Sequence, residues 1–226
     1  MDTLSAPILV SIYISTPCVA CATSAERLDH LDPVNLEESK AYRTKLEKLL
    51  FVTEANYGRM SFNPGSDPEF VVSIYRRVFH RNKYPKNYYI TVTQALDSIW
   101  YSMPDNSDSG TDKPIKVTRC DAEMPSSTAL AIRRVWKQML LQTRPHDYSS
   151  VDAPIGGEIV EFSLVASGRT PLFGELPIYP GKNTLALERL GIALQDYCKA
   201  SPNERALLSE KIERKAEKLL TDTRRE

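Results

Sequence analysis

The 226-residue chain carries no contiguous signature of catalysis or ligand binding. G-x-S-x-G and G-x-G-x-x-G are both missing, which excludes a nucleophile elbow and a dinucleotide fingerprint; Pro180-Gly181-Lys182-Asn183-Thr184 lacks the upstream glycine of a phosphate loop. Histidine is scarce. His30, His80 and His146 are far apart in sequence, and none belongs to an H-E-x-x-H or paired-cysteine pattern, so neither a metal site nor a cofactor is expected. There is no excess of charge of either sign, with 29 Lys+Arg against 29 Asp+Glu, which removes any global attraction to nucleic acid or an anionic membrane. Beyond the N-terminus no run of about 18 apolar residues occurs, so no later segment spans a bilayer as a helix. Low hydrophobicity is also absent: the apolar set is 42% and charged residues 26%, ordinary usage for a folded domain rather than a disordered chain.

What is present begins at the N-terminus. No charge falls between Thr3 and Ala25, and Ala6 to Ile14 is an apolar segment followed by small residues, with Ala20-Cys21-Ala22 as an A-x-A-like cleavage site. Residues 1–22 therefore read as a signal or leader segment, and 23–226 as a single domain, although the leader lacks a basic n-region. The rival reading takes Cys18-Val19-Ala20-Cys21 as a C-x-x-C redox turn between a strand and a helix. Cys18 would then be the nucleophile of a thiol-disulfide oxidoreductase and Cys21 the resolving thiol. With the leader removed, Cys120 and Cys198 remain and can form one disulfide in an oxidising compartment, or be two buried small residues.

Asp32-Pro33 suggests a helix start, with Tyr42, Leu46, Leu49 and Leu50 on one face to about Phe51. Asn56 to Asp67 reads as a loop around Asn63-Pro64-Gly65. Ser66-Asp67-Pro68-Glu69 predicts a second helix, with Phe70, Ile74 and Val78 in one row. Asn87 to Thr93 and Ile115 to Arg119 read as strands. Leu96, Ile99 and Trp100 fit a short helix or a continued strand. A helix is expected from Ser126 or Ser127 to about Thr143, stopped by Arg144-Pro145. Glu158 to Ala166 and Leu172 to Tyr179 form a hairpin of strands. Helices then start at Asn183-Thr184 and at the S-x-x-E capping box Ser201-Pro202-Asn203-Glu204. Clustered strands and separate helices without strict alternation predict an α+β fold, an antiparallel sheet with amphipathic helices packed on one face.

Two segments suggest local chemistry. Between Glu69 and Asp97 there is no acidic residue, while Arg76, Arg77, Arg81, Lys83 and Lys86 are interleaved with Tyr75, Phe79, Tyr84, Tyr88 and Tyr89; this 76–86 basic segment, through Arg76, Arg77, Arg81 and Lys83, is the best local case for anion or nucleic-acid binding. A solvated helix end with an apolar face accounts for the same residues. Asn106 to Asp112 superficially matches a calcium loop, but Gly110 falls one residue early and Val117 stands where a bidentate Glu is required.

In the C-terminal half, Arg119-Cys120-Asp121-Ala122-Glu123-Met124-Pro125, Val135-Trp136-Lys137-Gln138-Met139-Leu140, Thr143-Arg144-Pro145, Glu161-Phe162-Ser163, Leu190-Gly191 and Tyr197 together resemble uncharacterised, often exported bacterial proteins. The resemblance implies bacteria and export, to the periplasm or cell envelope, and supplies no function or site residues. The expectation is an exported protein that acts by binding, as an inhibitor or through an envelope partner, rather than by catalysis. A redox enzyme and an anion binder are the alternatives.

Overall fold

The computed structural model describes residues 29–34, 40–52, 56–65, 67–76, 87–104, 113–146, 158–165 and 171–224. The leader segment, Cys18, Cys21, Arg77, Arg81, Lys83 and the Asn106–Asp112 loop lie outside these described residues.

Six strands form one antiparallel sheet in the order β4-β3-β2-β1-β5-β6: β1 (Asn56–Asn63), β2 (Phe70–Arg76), β3 (Tyr88–Ala95), β4 (Val117–Met124), β5 (Ile159–Val165) and β6 (Pro171–Glu175). Four helices accompany it: α1 (Lys40–Leu50), α2 (Ser126–Leu141), α3 (Lys182–Lys199) and α4 (Pro202–Asp222). The expected α+β architecture is the one observed.

Strand alternation assigns the layers. Met60, Phe70, Val72, Ile74, Ile90, Val92, Val160, Phe162 and Leu164 point to one face, where they are buried with Ile132, Val135, Trp136 and Met139 of α2 and with Leu187, Leu190 and Leu194 of α3. α4 lies on α2 and α3 rather than on the strands, sinking Ile212, Ala216 and Leu219 between them. The opposite face carries α1, whose Leu46 and Leu50 close over Val71, Ala95 and Ile99. Three helices thus share a face, as expected, and the first crosses the other.

The chain from Phe70 to Arg76 is a strand, not the predicted helix. It lies between β1 and β3 with residues 70–75 all buried, so it has no polar side to show a period of two. Its Val71, Val72 and Ile74 are β-branched and suit a pleated surface. The predicted loop at Asn56 is β1, whose alternation of Arg59 and Ser61 with Met60 and Phe62 matches its two faces. Asp32 does not start a helix either. Its backbone exchanges bonds of 2.9 and 2.8 Å with Glu175 at the β6 edge, and the helical residues begin at Lys40. Trp100–Ser102 is a turn of 3₁₀-helix, and β6 is shorter than expected.

The strand expected at Ile115 to Arg119 is β4, which starts at Val117 and runs on to Met124, and α2 starts at Ser126 behind Pro125 without the expected serine side-chain cap. β5 alternates as expected, and Glu204 accepts the Ser201 backbone N–H at 2.9 Å in the α4 capping box. Cys120 of β4 and Cys198 of α3 form a disulfide with Cα atoms 6.1 Å apart, tying the edge strand to the helix layer.

One contact sets a pH dependence. Glu158, just before β5, and Glu188 on α3 lie near each other; burial, and for Glu188 also the charge of Glu158, raise both carboxyls above their ordinary range. The folded state therefore holds more protons than the unfolded chain between the ordinary and the raised pKa, and stability falls as pH rises through that window. Glu188→Gln is expected to stabilise the protein by up to about 1 kcal/mol at pH 7 in this partly solvated setting, and to flatten the dependence. Urea midpoints at pH 4.5 and pH 7 check this; an unchanged or steeper dependence in the variant would contradict it.

Candidate interaction surface and buried polar face

At the β3–β4 end of the sheet a buried acid organises an exposed aromatic turn. Glu69, 2% exposed, accepts the backbone N–H groups of Ile99 (2.7 Å) and Trp100 (3.2 Å) and the hydroxyl of Tyr42 on α1 (3.0 Å). A carboxylate is well matched to the first N–H groups of a helical turn. Lys45 donates to the Ser102 hydroxyl at 2.8 Å, and the Tyr42 and Trp100 rings meet edge-on at 5.5 Å. Backbone and neighbours hold the turn, while the side chains face outward: Tyr101 is 53% and Leu96 51% exposed, with Trp100 and Val117 also exposed. Leu96 and Val117 are adjacent because Leu96 donates to the Lys116 carbonyl at 2.9 Å and Ala95 pairs with Val117.

Glu69→Gln should place an amide N–H against backbone donors. It is expected to cost about 2 kcal/mol. Because Trp136 is fully buried, the quenchable emission of the two tryptophans reports Trp100, and faster acrylamide quenching should accompany the loss. Unchanged quenching and stability would show that Glu69 does not hold the turn.

The α1 face of the sheet is polar yet largely buried. One row across it reads Phe173, Ser163, Arg59, Ser73, Thr91 and Asp121 from β6 to β4; the next reads Glu175, Glu161, Ser61, Val71, Thr93 and Arg119. Thr91 bonds to Asp121, and Arg119 binds the same carboxylate through Nε (2.9 Å) and Nη2 (3.0 Å). Arg43 of α1 pairs with Glu161, whose carboxyl is raised by burial and lowered again, less strongly, by Arg43. Arg59 stacks on Phe51 at 3.8 Å and donates to the Val52 carbonyl at 3.3 Å, and burial holds its pKa down to about 10.

Of the residues singled out in the basic segment, Arg76 is described. It ends β2 with its guanidinium 5.1 Å from the Tyr88 ring centroid, in a cluster where Tyr57 and Tyr88 rings lie 4.8 Å apart and Arg133 covers Tyr57. His30 and His146, remote in sequence, are brought to 6.4 Å between ring centroids because Arg144 donates to the Leu31 carbonyl at 3.1 Å. Burial and then Arg144 lower the His30 pKa. Among the described residues no group of three metal-ligating side chains forms, and no helix is long and apolar enough to cross a membrane. No family model, curated protein or solved structure matches the chain.

Proposed function

We propose that this is an exported bacterial protein that acts by binding, with the aromatic end of its sheet as the contact surface for a protein partner of the cell envelope. The observation that carries the reading is the Trp100–Tyr101 turn, fixed from beneath by Glu69 with its aromatic side chains left outside. Rigid exposed aromatics lose little conformational entropy on contact and dominate the buried centre of protein interfaces. The Cys120–Cys198 disulfide supports an oxidising compartment.

Two measurements on the full chain in a bacterial host test this. Intact mass after thiol alkylation of separate cell fractions should find a cleaved chain outside the cytoplasm with Cys120 and Cys198 unalkylated; an intact, fully alkylated chain in the cytoplasm would end the export reading. A photo-crosslinking residue at position 101 should give a discrete adduct that Trp100→Ala abolishes, whereas position 214 on exposed α4 should not. No adduct at 101, or an equal one at 214, would remove this surface.

A further inference from the structure

The two edges of the sheet are finished differently. At β6 the backbone of Asp32 exchanges two hydrogen bonds with Glu175, so that edge is partly closed. β4 ends the strand order on the other side, and no strand among the described residues pairs with its outer flank. The phase of the hydrogen bonds shows what that flank offers. The Leu96 N–H donates to the Lys116 carbonyl at 2.9 Å, whereas the Ala95 N–H donates the other way, to the Glu69 carbonyl beside β2, at 2.9 Å. Even-numbered residues of β4 therefore bond to β3, and the backbone groups of Val117, Arg119, Asp121 and Glu123 turn away from it. The Tyr197 hydroxyl, which donates to the Glu123 carbonyl at 2.8 Å from α3, fits this phase.

An outward row of this kind is a template for another strand, and natural edges are blunted by proline, bulges or repelling charges. β4 contains no proline or glycine, and its register with β3 runs from Val117 to Met124 without a shift. Its charges are of both signs: Arg119 and Asp121 pair with each other along the strand, yet their side chains stay 49% and 40% exposed. Two copies of β4 can meet antiparallel through their outward groups in few registers. The one centred on Cys120 sets Arg119 opposite the second copy's Asp121, and Asp121 opposite its Arg119. Centring on Arg119 or on Asp121 sets like charges directly opposite, which is destabilising. We infer that β4 pairs with β4 of a second copy of this chain, antiparallel about Cys120, joining two six-stranded sheets across a two-fold axis. This dimer does not depend on the aromatic turn.

Sedimentation equilibrium of the full chain, with Cys120 and Cys198 bonded, should fit a monomer–dimer equilibrium. Arg119→Asp sets Asp opposite Asp at both charged contacts, and Asp121→Arg sets Arg opposite Arg, so each variant alone should dimerise at least about tenfold more weakly than the parent. Mixed in equal amounts, the two should form a heterodimer with opposite charges at both contacts and recover the parent's affinity. In the parent, amide hydrogen exchange read residue by residue should slow at the Arg119 N–H as the dimer fills. That reading needs no variant and decides the matter should one fail to fold. A chain that stays monomeric, a mixture no more dimeric than either variant alone, or an Arg119 N–H that exchanges at the same rate in monomer and dimer would overturn the pairing.

Discussion

Replacing Cys120 and Cys198 together by alanine is expected to lower stability by about 4 kcal/mol, and the melting temperature by roughly 10 °C. The partners are 78 residues apart in sequence, so the bond removes a large closed loop from the freedom of the unfolded chain. It also fastens an edge strand, β4, to the end of α3, where Tyr197 adds a 2.8 Å hydrogen bond to the Glu123 carbonyl. The checking measurement is urea denaturation with and without a dithiol reductant. The parent should fall to the level of the variant when reduced, and the variant should ignore the reductant. Equal midpoints for parent and variant under oxidising conditions would show that the bond contributes nothing to stability.

Gly58→Ala is the second large effect. β1 bulges between Asn56 and Gly58, and a Cβ built on Gly58 would lie 2.6 and 2.7 Å from two carbons of the Trp136 ring. That ring is fully buried and meets Phe162 at 5.7 Å, so it cannot retreat as a flexible side chain would. Overpacking of this kind is expected to cost about 3 kcal/mol. Trp136→Leu should itself cost about 3 kcal/mol by leaving a cavity, yet the double variant should cost at least about 1 kcal/mol less than the sum, because the leucine vacates the space the new methyl needs. Additive losses in thermal or urea unfolding would show that the glycine is required for some reason other than Trp136.

How much of this was legible depended on the range over which each residue is decided. The start of α4 was legible because its serine, proline and glutamate signals act within one turn, and β5 because its alternation is intact on a half-polar strand; α2 starts where expected, yet behind Pro125 and without a serine side-chain cap. β2 was not. A strand buried on both faces loses the alternation that would mark it, and Phe70 with Ile74 fits a helical row equally well. Glu69 looked like the acid of a starting helix; it serves a turn 30 residues later, reached through the pairing of β2 with β3. Nothing in the local sequence marks Trp100 and Tyr101 as exposed, since aromatics are more often core. The Arg59–Ser73 pairing exists only once β1 and β2 are in register.

The sequence by itself determined the helices and β5 of its second half, the α+β class and the availability of Cys120 and Cys198 for a bond. These follow from capping, periodicity and composition, which act between near neighbours. Tertiary structure decided that Phe70–Arg76 is a strand, that α1 covers the polar face, that the two cysteines meet and that Arg59 lies in register with Ser73. Those outcomes rest on contacts between residues distant in the chain, whose free energy is gained only when the sheet closes in a single register.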